Sequence, residues 1–204
     1  MFQLPRLYPI LDASCYADIA AMLTAAQDLV SAGCTLLQYR NKSGNAPVML
    51  EQARELKKRL GNSVTLIMND RADLCLAAGF DGVHVGQDDL SPESVRKIIG
   101  PNRWLGVSTH NPEQLCEADL TSADYLAVGP VFATTSKEKP DPVVGLEGVH
   151  RARALTRKPL VAIGGITRAN AASVIEAGAD SVAVISDLVY DPRKSAEEFF
   201  RILR

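Results

Sequence analysis

Short apolar runs alternate with longer amphipathic stretches along the whole chain, and this alternation constrains the fold more than any other feature of the sequence. The apolar runs predict eight strands, at residues 7–11, 36–39, 65–68, 82–85, 104–107, 125–128, 160–163 and 181–185. The stretches between them predict helices, at residues 18–32, 47–60, 72–78, 92–99, 112–118, 148–156, 170–177 and 195–203. Strict alternation of strand and helix is typical of a parallel sheet, because each parallel strand needs a crossover to reach the next.

A weak internal repeat supports this prediction. The segments Ala32-Gly33-Cys34-Thr35, Ala78-Gly79-Phe80-Asp81 and Ala177-Gly178-Ala179-Asp180 share one plan, in which a helix ends at glycine, the chain turns and an apolar strand begins. Ser122-Ala123-Asp124 is a degenerate fourth copy. Eight units of about 25 residues predict an α/β protein with one domain, residues 1–204, folded as a single (β/α)8 TIM barrel. A doubly wound open sheet is the alternative, but no Gly-x-Gly-x-x-Gly turn follows the first strand.

Composition excludes several classes of protein. A formal net charge of −2 over 204 residues gives no reason to expect nucleic acid or an anionic membrane as a partner. The longest apolar runs, such as residues 159–163, have the length of strands, and the N-terminus carries no signal-peptide pattern. The cysteines lie far apart without metal-ligand spacing, which favours buried, reduced thiols in a cytoplasmic protein. Self-association into a homo-oligomer is left open.

Polar residues follow nearly every predicted strand, and barrel enzymes place their chemistry at these carboxyl ends. After the second strand, the two-residue period of a strand puts Gln38, Arg40 and Lys42 on one side, facing the barrel mouth. One amide and two cations there suit an anionic ligand, although a solvated strand end is the alternative. The fifth strand ends similarly, in Gly106-Val107-Ser108-Thr109-His110.

Two carboxylates follow the third and fourth strands. Asp70 and Asp89 lie at neighbouring strand ends, within reach of one cation. Mg²⁺ binds one or two carboxylates in proteins and completes its coordination with water and substrate phosphates, so the pair predicts a magnesium–pyrophosphate site. The alternatives are that Asp70 caps the short helix that follows, with Asp73 assisting, and that Asp89 is surface charge.

The last three strands indicate a lid and a phosphate site. A long loop rich in hydroxyl groups, residues 129–137, follows the sixth strand and predicts a mobile lid over an anionic substrate; a surface insertion is the alternative. Gly164-Gly165 and Ile185-Ser186 end the last two strands, where barrels commonly bind phosphate. His84 and His110 could transfer protons, but no paired carboxylate favours that role, and His150 is expected on the surface.

Taken together and in order, these segments resemble the thiamine phosphate synthase family over essentially the whole chain. The resemblance rests on Gln38-Tyr39-Arg40-x-Lys42, Asn69-Asp70-Arg71-x-Asp73, Gly82-Val83-His84-Val85-Gly86-Gln87-x-Asp89, Gly106-Val107-Ser108, Gly129-Pro130-Val131-Phe132, Ala162-Ile163-Gly164-Gly165-Ile166 and Val184-Ile185-Ser186. It implies a transferase that couples 4-amino-2-methyl-5-(diphosphooxymethyl)pyrimidine to 4-methyl-5-(2-phosphooxyethyl)thiazole, or to its carboxylated tautomer. The products would be thiamine phosphate and pyrophosphate.

The resemblance also implies a role for each matching residue. Gln38, Arg40, Lys42 and Asn69 would hold the pyrimidine diphosphate, Ser108 and His84 would contact the pyrimidine, and Asp70 and Asp89 would bind Mg²⁺. The thiazole phosphate would be held by Thr134, Ser136, Gly165 and the backbone of Ile185 and Ser186, with Thr135 among the lid residues that bind substrate. Lys137 would reach the pyrophosphate, and with Arg40, Lys42 and Ser108 it completes the predicted catalytic set. The lid departs from the usual Thr-x-Thr-Lys pattern, because Ser136 replaces the second threonine.

The implied reaction loses pyrophosphate in a dissociative step, because the ring amino group stabilises the cation that remains. Such a step needs no enzyme nucleophile, and no nucleophile motif is present. Two alternatives stay open. One is the related thiazole tautomerase, in whose branch a histidine stands at the position of Pro130, and the other is a non-catalytic protein that binds thiazole or thiamine phosphate.

Overall fold

The computed structural model describes residues 4–134 and 141–204, and within them eight parallel strands close into a barrel in sequence order. The strands are β1 (Leu7–Asp12), β2 (Leu36–Arg40), β3 (Thr65–Asn69), β4 (Gly82–Val85), β5 (Trp104–Thr109), β6 (Tyr125–Val128), β7 (Leu160–Ile163) and β8 (Ser181–Val184). The predicted (β/α)8 barrel is therefore confirmed, and each strand lies within two residues of its predicted bounds.

Eight helices surround the barrel in the described residues. They are α1 (Ile19–Ser31), α2 (Ala46–Leu60), α3 (Ala72–Ala78), α4 (Pro92–Ile99), α5 (Pro112–Asp119), α6 (Gly145–Leu155), α7 (Ala171–Glu176) and α8 (Pro192–Ile202). The last helix starts three residues before its predicted start, because Asp191 caps it by accepting a hydrogen bond of 3.2 Å from the Lys194 amide. None of the described helices is long and apolar enough to cross a membrane.

The repeat seen in the sequence has a structural explanation at the amino-terminal face of the barrel. The aspartates of three copies each accept a hydrogen bond from the backbone at the start of a neighbouring strand: Asp81 from Leu66, Asp124 from Leu105 and Asp180 from Leu160, at 2.8 to 2.9 Å. Arg96 and Arg153 pair with two of these carboxylates, at 2.7 and 2.8 Å. The aspartates of the repeat therefore link neighbouring strands by hydrogen bonds at the amino-terminal face, which is opposite to the face where such barrels have their active sites.

Two apolar clusters make up the core. The larger one lies between the barrel and the helices, and a smaller one fills the barrel interior, with Tyr8, Ile10, Leu36, Ile67, Tyr125, Ala127, Val161 and Ala183. Above the smaller cluster the buried interior becomes polar, with Gln38, Asn69 and His84 each at most 8% exposed. Buried polar groups need partners, so this layer marks where ligands are expected.

The four cysteines are free thiols. Cys34 and Cys75 are buried, as expected, whereas Cys15 and Cys116 are exposed because they lie in a 3₁₀ turn and on the outer face of α5. The expectation that all four are buried was wrong for these two.

Candidate active site

Arg40 forms an ion pair at the carboxyl end of β2 that the sequence interpretation missed. The register of β1 and β2 places Asp12 beside Arg40, and the guanidinium donates a hydrogen bond to that carboxylate. Asp12 also accepts from the amide and the hydroxyl of Ser14, at 3.0 and 2.7 Å. The exposed fractions of the side chains are 16% for Arg40 and 5% for Asp12, so the guanidinium is held in place before any ligand arrives.

Lys42 lies beside the first predicted metal ligand. Its ammonium donates to Asp70 at 2.5 Å, and the Asp70 amide donates to the carbonyl of His84 at 2.8 Å. The backbone of Asp70 has a φ of 63°, in the left-handed region, and this conformation costs free energy for a residue other than glycine. The alternative that Asp70 caps α3 was wrong, because Arg71 occupies the cap position and no side chain caps that helix.

Asp89 lies next to Asp70 and completes the carboxylate pair. One of its oxygens accepts from the Gly86 amide at 2.7 Å. Burial raises the pKa of Asp89, and the adjacent carboxyl of Asp70 raises it further, against the opposing effects of the Gly86 amide and of Lys42. Two carboxylates forced together in this way favour a cation between them.

The donor set fits Mg²⁺ better than a metal that needs a complete protein cage. In residues 4–134 and 141–204 no group of three or more His, Cys, Asp or Glu side chains could hold a metal ion. A pair of carboxylates beside a cationic clamp leaves the remaining coordination to water and phosphate, as Mg²⁺ prefers. Asp70 and Asp89 are therefore the residues that would hold the ion.

In the part of the chain that the structure describes, Asn69 has an unpaired hydrogen-bond donor at the same edge. Its side-chain Nδ2 is buried and has no hydrogen-bond partner among the described residues. A buried amide donor without a partner costs free energy, so this N–H group is suited to an acceptor on a ligand.

Five polar side chains from five strands form one chain of hydrogen bonds across the barrel interior. Gln38 Nε2 donates to the Tyr8 hydroxyl at 3.0 Å, and that hydroxyl bonds to the hydroxyl of Tyr125 at 2.9 Å. The Tyr125 hydroxyl lies 3.0 Å from Nδ1 of His84, whose Nε2 lies 2.8 Å from Oγ of Ser108. The chain thus joins three predicted substrate-binding residues through two tyrosines that were not predicted.

The buried members of this chain are uncharged. Burial lowers the pKa of His84 to about 4, although Asp89 acts in the opposite direction, so the imidazole is neutral near neutral pH. Burial raises the pKa of the Tyr8 and Tyr125 phenols. Each hydroxyl therefore keeps its proton, and the site presents directed hydrogen bonds at this depth rather than charges.

His110 lies in the wall of the barrel mouth. Its Nδ1 lies 2.6 Å from the carbonyl of Gly129, and its Nε2 lies 3.4 Å from a carboxylate oxygen of Asp141. The ring therefore joins β5 to the two ends of the loop after β6, which is a structural role. A carboxylate partner exists after all, but it comes from a part of the sequence far from the histidine.

The glycines after β7 hold the loop after β6 as well as lining the predicted phosphate site. Gly164 and Gly165 have φ angles of 100° and 62°, which favour glycine. A Cβ on Gly165 would lie 2.4 Å from the carbonyl oxygen of Ala133. The amide of Phe132 donates to the Gly164 carbonyl at 3.0 Å, so the loop after β6 passes directly over this pair.

A polar cluster fixes the other half of the predicted phosphate site. Ser186 begins a 3₁₀ turn that ends at Leu188. Both the amide and the guanidinium of Arg168 donate to the carboxylate of Asp187 in this turn, at 2.7 to 3.0 Å, and the guanidinium also binds Glu198 on α8. The loop after β7 is thereby fastened to the turn after β8.

The predicted lid is described only in part. Thr134 is half-buried at its start, and Thr135, Ser136 and Lys137 lie outside the described residues. Their predicted contacts with substrate stay predictions.

The comparisons with known proteins agree with this geometry. The family model for thiamine monophosphate synthase matches residues 7–188. The chain is 61% identical to the thiamine-phosphate synthase of Koribacter versatilis, over 98% of this chain and 97% of that protein. It is 46% identical to the thiamine-phosphate synthase of Chloroflexus aurantiacus, over 90% of this chain and 85% of that one. The chain belongs to the thiamine monophosphate synthase family.

A solved structure supports the same conclusion. The thiamine phosphate pyrophosphorylase from Pyrococcus furiosus superimposes with a TM-score of 0.86 at 33% identity, over 97% of this chain and 95% of that one. A 3-hexulose-6-phosphate synthase superimposes with a TM-score of 0.74 at only 17% identity, which shows a shared fold alone. The predictions of the family, of the barrel and of a transferase with thiamine-phosphate synthase activity are therefore confirmed.

Within this member of the thiamine monophosphate synthase family, the structure brings most of the predicted residues to one end of the barrel. Gln38, Arg40, Lys42, Asn69, Asp70, His84, Asp89 and Ser108 follow or end β2 to β5, and Gly165, Ile185 and Ser186 follow β7 and β8. Sequence reasoning missed Asp12, although it ends the first apolar run directly. It also missed Tyr8 and Tyr125, whose aromatic rings give no sign in the sequence that their hydroxyls are used.

Proposed function

We propose that this enzyme joins the pyrimidine diphosphate to the thiazole phosphate by dissociative loss of pyrophosphate, with the predicted residues in the roles given above. The observation that carries the proposal is the paired carboxylates Asp70 and Asp89 beside the cations Arg40 and Lys42 at one edge of the barrel mouth. Such a set neutralises a diphosphate leaving group, which a thiazole tautomerase or a binding protein does not need.

The cationic side chains act on the leaving group. Arg40 is fixed by Asp12 and offers its remaining N–H groups to the diphosphate, and Lys42 lies close enough to Asp70 to touch a phosphate bound there. When bound by the two carboxylates, Mg²⁺ would supply additional charge neutralisation as pyrophosphate departs. Lys137 would add a further cation from the lid.

The residues around the pyrimidine bind and orient it without attacking it. The described part of the site contains no activated nucleophile, and the neutral His84 is poorly suited to act as an acid. Asn69, with its unpaired donor, would bind an oxygen of the diphosphate ester. The reaction then depends on position and charge, and the thiazole nitrogen supplies the electron pair for the new bond.

The second substrate would be held by its phosphate at the opposite side of the mouth. Gly165, the backbone of Ile185 and Ser186, and the lid residue Thr134 would surround that phosphate. Two anchored phosphates would align the thiazole nitrogen with the pyrimidine methylene carbon, and such alignment contributes a large part of the rate of a two-substrate reaction. We further propose that the enzyme works in the cytoplasm on these small molecules and without nucleic acid or membrane.

The test is an assay with both substrates, with and without Mg²⁺, on the unaltered protein and on Asp89→Ala. Thiamine phosphate and pyrophosphate should form in equal amounts only with the metal, and the substitution should lower the rate about 10²–10³-fold, as for lost stabilisation of a developing charge. Asp88→Ala is the matched control, because its carboxylate is exposed in the same loop, and it should retain the rate. Binding of thiazole phosphate without product from the unaltered protein would instead indicate the tautomerase or the binding protein.

A further inference from the structure

Tyr8 and Tyr125 join Gln38, His84 and Ser108 into one chain of hydrogen bonds, and the proposed chemistry gives these two tyrosines no role. Its five members come from β2, β1, β6, β4 and β5, so it crosses the barrel interior from one wall of the site to the other. All its links measure 2.8 to 3.0 Å, and Gln38, Tyr8, Tyr125 and His84 are at most 8% exposed. Such a network stabilises the fold only if every proton in it has an acceptor.

Counting protons gives the chain a direction. The Gln38 amide nitrogen can only donate, so the Tyr8 oxygen accepts from it. The single proton of Tyr8 then goes to the Tyr125 oxygen, because the opposite arrangement would leave a buried hydroxyl proton without an acceptor in the chain. The Tyr125 hydroxyl, which accepts from Tyr8, has Nδ1 of His84 at 3.0 Å as an acceptor for its own proton.

The chain of hydrogen bonds ends at the hydroxyl group of Ser108, at the surface of the site. When Nδ1 of His84 accepts from Tyr125, the N–H of the ring is at Nε2, and this group donates to the Ser108 oxygen. The hydroxyl proton of Ser108 is then left for a ligand. At the other end, one N–H of the Gln38 amide is taken by Tyr8, and the carbonyl oxygen of the same amide is the acceptor that it offers to a ligand. The Gln38 wall of the site therefore offers an acceptor, and the Ser108 wall offers a donor.

This polarity matches an aminopyrimidine. In a 4-aminopyrimidine the amino group donates hydrogen bonds, and the ring nitrogen at the opposite end of the ring accepts them. We propose that Tyr8 and Tyr125 are positioning residues that fix the donor at Ser108 and the acceptor at Gln38, and so select the aminopyrimidine ring. The inference rests on the proposed function and deepens it, because it assigns ring recognition to residues that do not themselves touch the substrate.

Gly106 provides independent geometric support for the proposal. A Cβ at this position would lie 2.1 Å from Cζ of Tyr125 and 2.4 Å from Nδ1 of His84. The two rings are tilted against each other with centroids 5.5 Å apart. The strand thus has no side chain at the one place where it would separate the Tyr125 hydroxyl from the imidazole.

The first experiment measures the tautomer of His84 by ¹⁵N NMR on the unaltered protein without substrate. Only His84, His110 and His150 contribute signals, and His84→Gln assigns the one in question. We expect the proton on Nε2, and in Tyr125→Phe we expect a mixture of tautomers because Nδ1 loses its donor. A proton on Nδ1 in the unaltered protein would overturn the proposed direction.

The second experiment measures KM for each substrate in Tyr125→Phe. The KM for the pyrimidine diphosphate should rise about tenfold, as for one buried hydrogen bond, and the KM for the thiazole phosphate should not change. Tyr39→Phe is the matched control, since Tyr39 is equally buried but its hydroxyl donates to Gln52, outside the barrel, at 2.6 Å. It should leave both KM values unchanged.

The outcomes separate this inference from the proposed function. Equal increases of both KM values in Tyr125→Phe would mean that the tyrosine has only a structural role, and would overturn the inference. A failure of the unaltered protein to form thiamine phosphate would instead overturn the proposed function, while the tautomer, measured without substrate, would still decide the direction of the chain.

Discussion

Two regions of the barrel mouth are proposed to hold phosphate groups, and they would do so by different means. The first lies above β2 to β5, and the second lies above β7 and β8. At the first, the binding groups are charged side chains: Arg40 and Lys42 as cations, with Asp70 and Asp89 for a metal ion. At the second they would be mainly backbone groups, at Gly165, Ile185 and Ser186, with hydroxyl groups from the lid. The region above β2 to β5, called the charged end below, can neutralise charge as it develops. The region above β7 and β8, called the backbone end, can only hold a charge that is already present.

The difference assigns a task to each end. The diphosphate gains charge on the leaving oxygen during the reaction, so its site needs strong charges that are already in place. The phosphate of the thiazole does not change, so a rigid site made of amides is sufficient to anchor it. Substitutions at the two ends should therefore affect different substrates.

The largest effect that sharpens this comparison is expected from Gly165→Ala. A methyl group here would approach the Ala133 carbonyl to 2.4 Å, and φ is 62°, so the loop after β6 must move. Strain of about 2 kcal/mol should raise the KM for thiazole phosphate about 30-fold, and the KM for the diphosphate should rise less, because Lys137 is the one residue of this loop predicted to reach it. Steady-state kinetics with each substrate varied in turn would measure both.

Gly61→Ala is the matched control for that substitution. Gly61 has nearly the same φ, 61°, but a Cβ there would have no heavy atom within 4 Å. It should lower the free energy of unfolding by about 1 kcal/mol and leave both KM values unchanged. Equal increases of the two KM values in Gly165→Ala would contradict a backbone site that serves one substrate only.

The contrast between the two ends also explains how much of the site the sequence could predict. Arg40 and Lys42 were predictable because the two-residue period of a strand puts them on one face and their charge is unusual there. Gly165 was predictable as a residue, but its contact with Ala133 was not, because the loop after β6 meets β7 only in the folded chain. Its role in holding that loop could therefore not be predicted.

The roles of Tyr8, Tyr125 and Asp12 could not be predicted, because the sequence around each of them has a simpler structural explanation. Tyr8 and Tyr125 lie within apolar runs, where an aromatic residue usually indicates core, and both rings do pack in the core. Asp12 extends an apolar run by one residue, and a single carboxylate in such a place usually faces water. The strands themselves were predicted closely, because their apolar runs are short and are separated by clear helix starts.

An intermediate effect is expected from Asp12→Asn, which tests whether the charged end needs an ordered cation. The amide would keep an acceptor for the Ser14 amide but would lose the ion pair with Arg40. Loss of a buried, charge-assisted hydrogen bond of about 1.5 kcal/mol should lower kcat/KM for the diphosphate about tenfold. The kcat/KM for thiazole phosphate, measured at saturating diphosphate, should fall less.

Asp18→Asn provides the control for Asp12→Asn. Asp18 caps α1 by accepting from the Ala21 amide at 2.8 Å, and asparagine caps a helix about as well. Its kinetics should match those of the unaltered protein. If the kcat/KM of Asp12→Asn were as high as that of this control, the action of Arg40 on the diphosphate would not depend on its ion pair with Asp12. The charged end would then be less ordered than the geometry indicates.

The smallest effect is expected from Arg168→Lys, which loosens the backbone end without entering it. A lysine keeps the charge but cannot bind Asp187 with two parallel N–H groups and reach Glu198 as well. The turn after β8 should then be less ordered, and the KM for thiazole phosphate should rise about threefold, as for a loss of under 1 kcal/mol. Arg193→Lys, an exposed pair with Glu197 at 3.5 Å on α8, should change neither KM. A rise in the KM for the diphosphate alone would mean that the two ends of the mouth are mechanically joined, because a change behind the thiazole phosphate would then reach the opposite wall of the barrel.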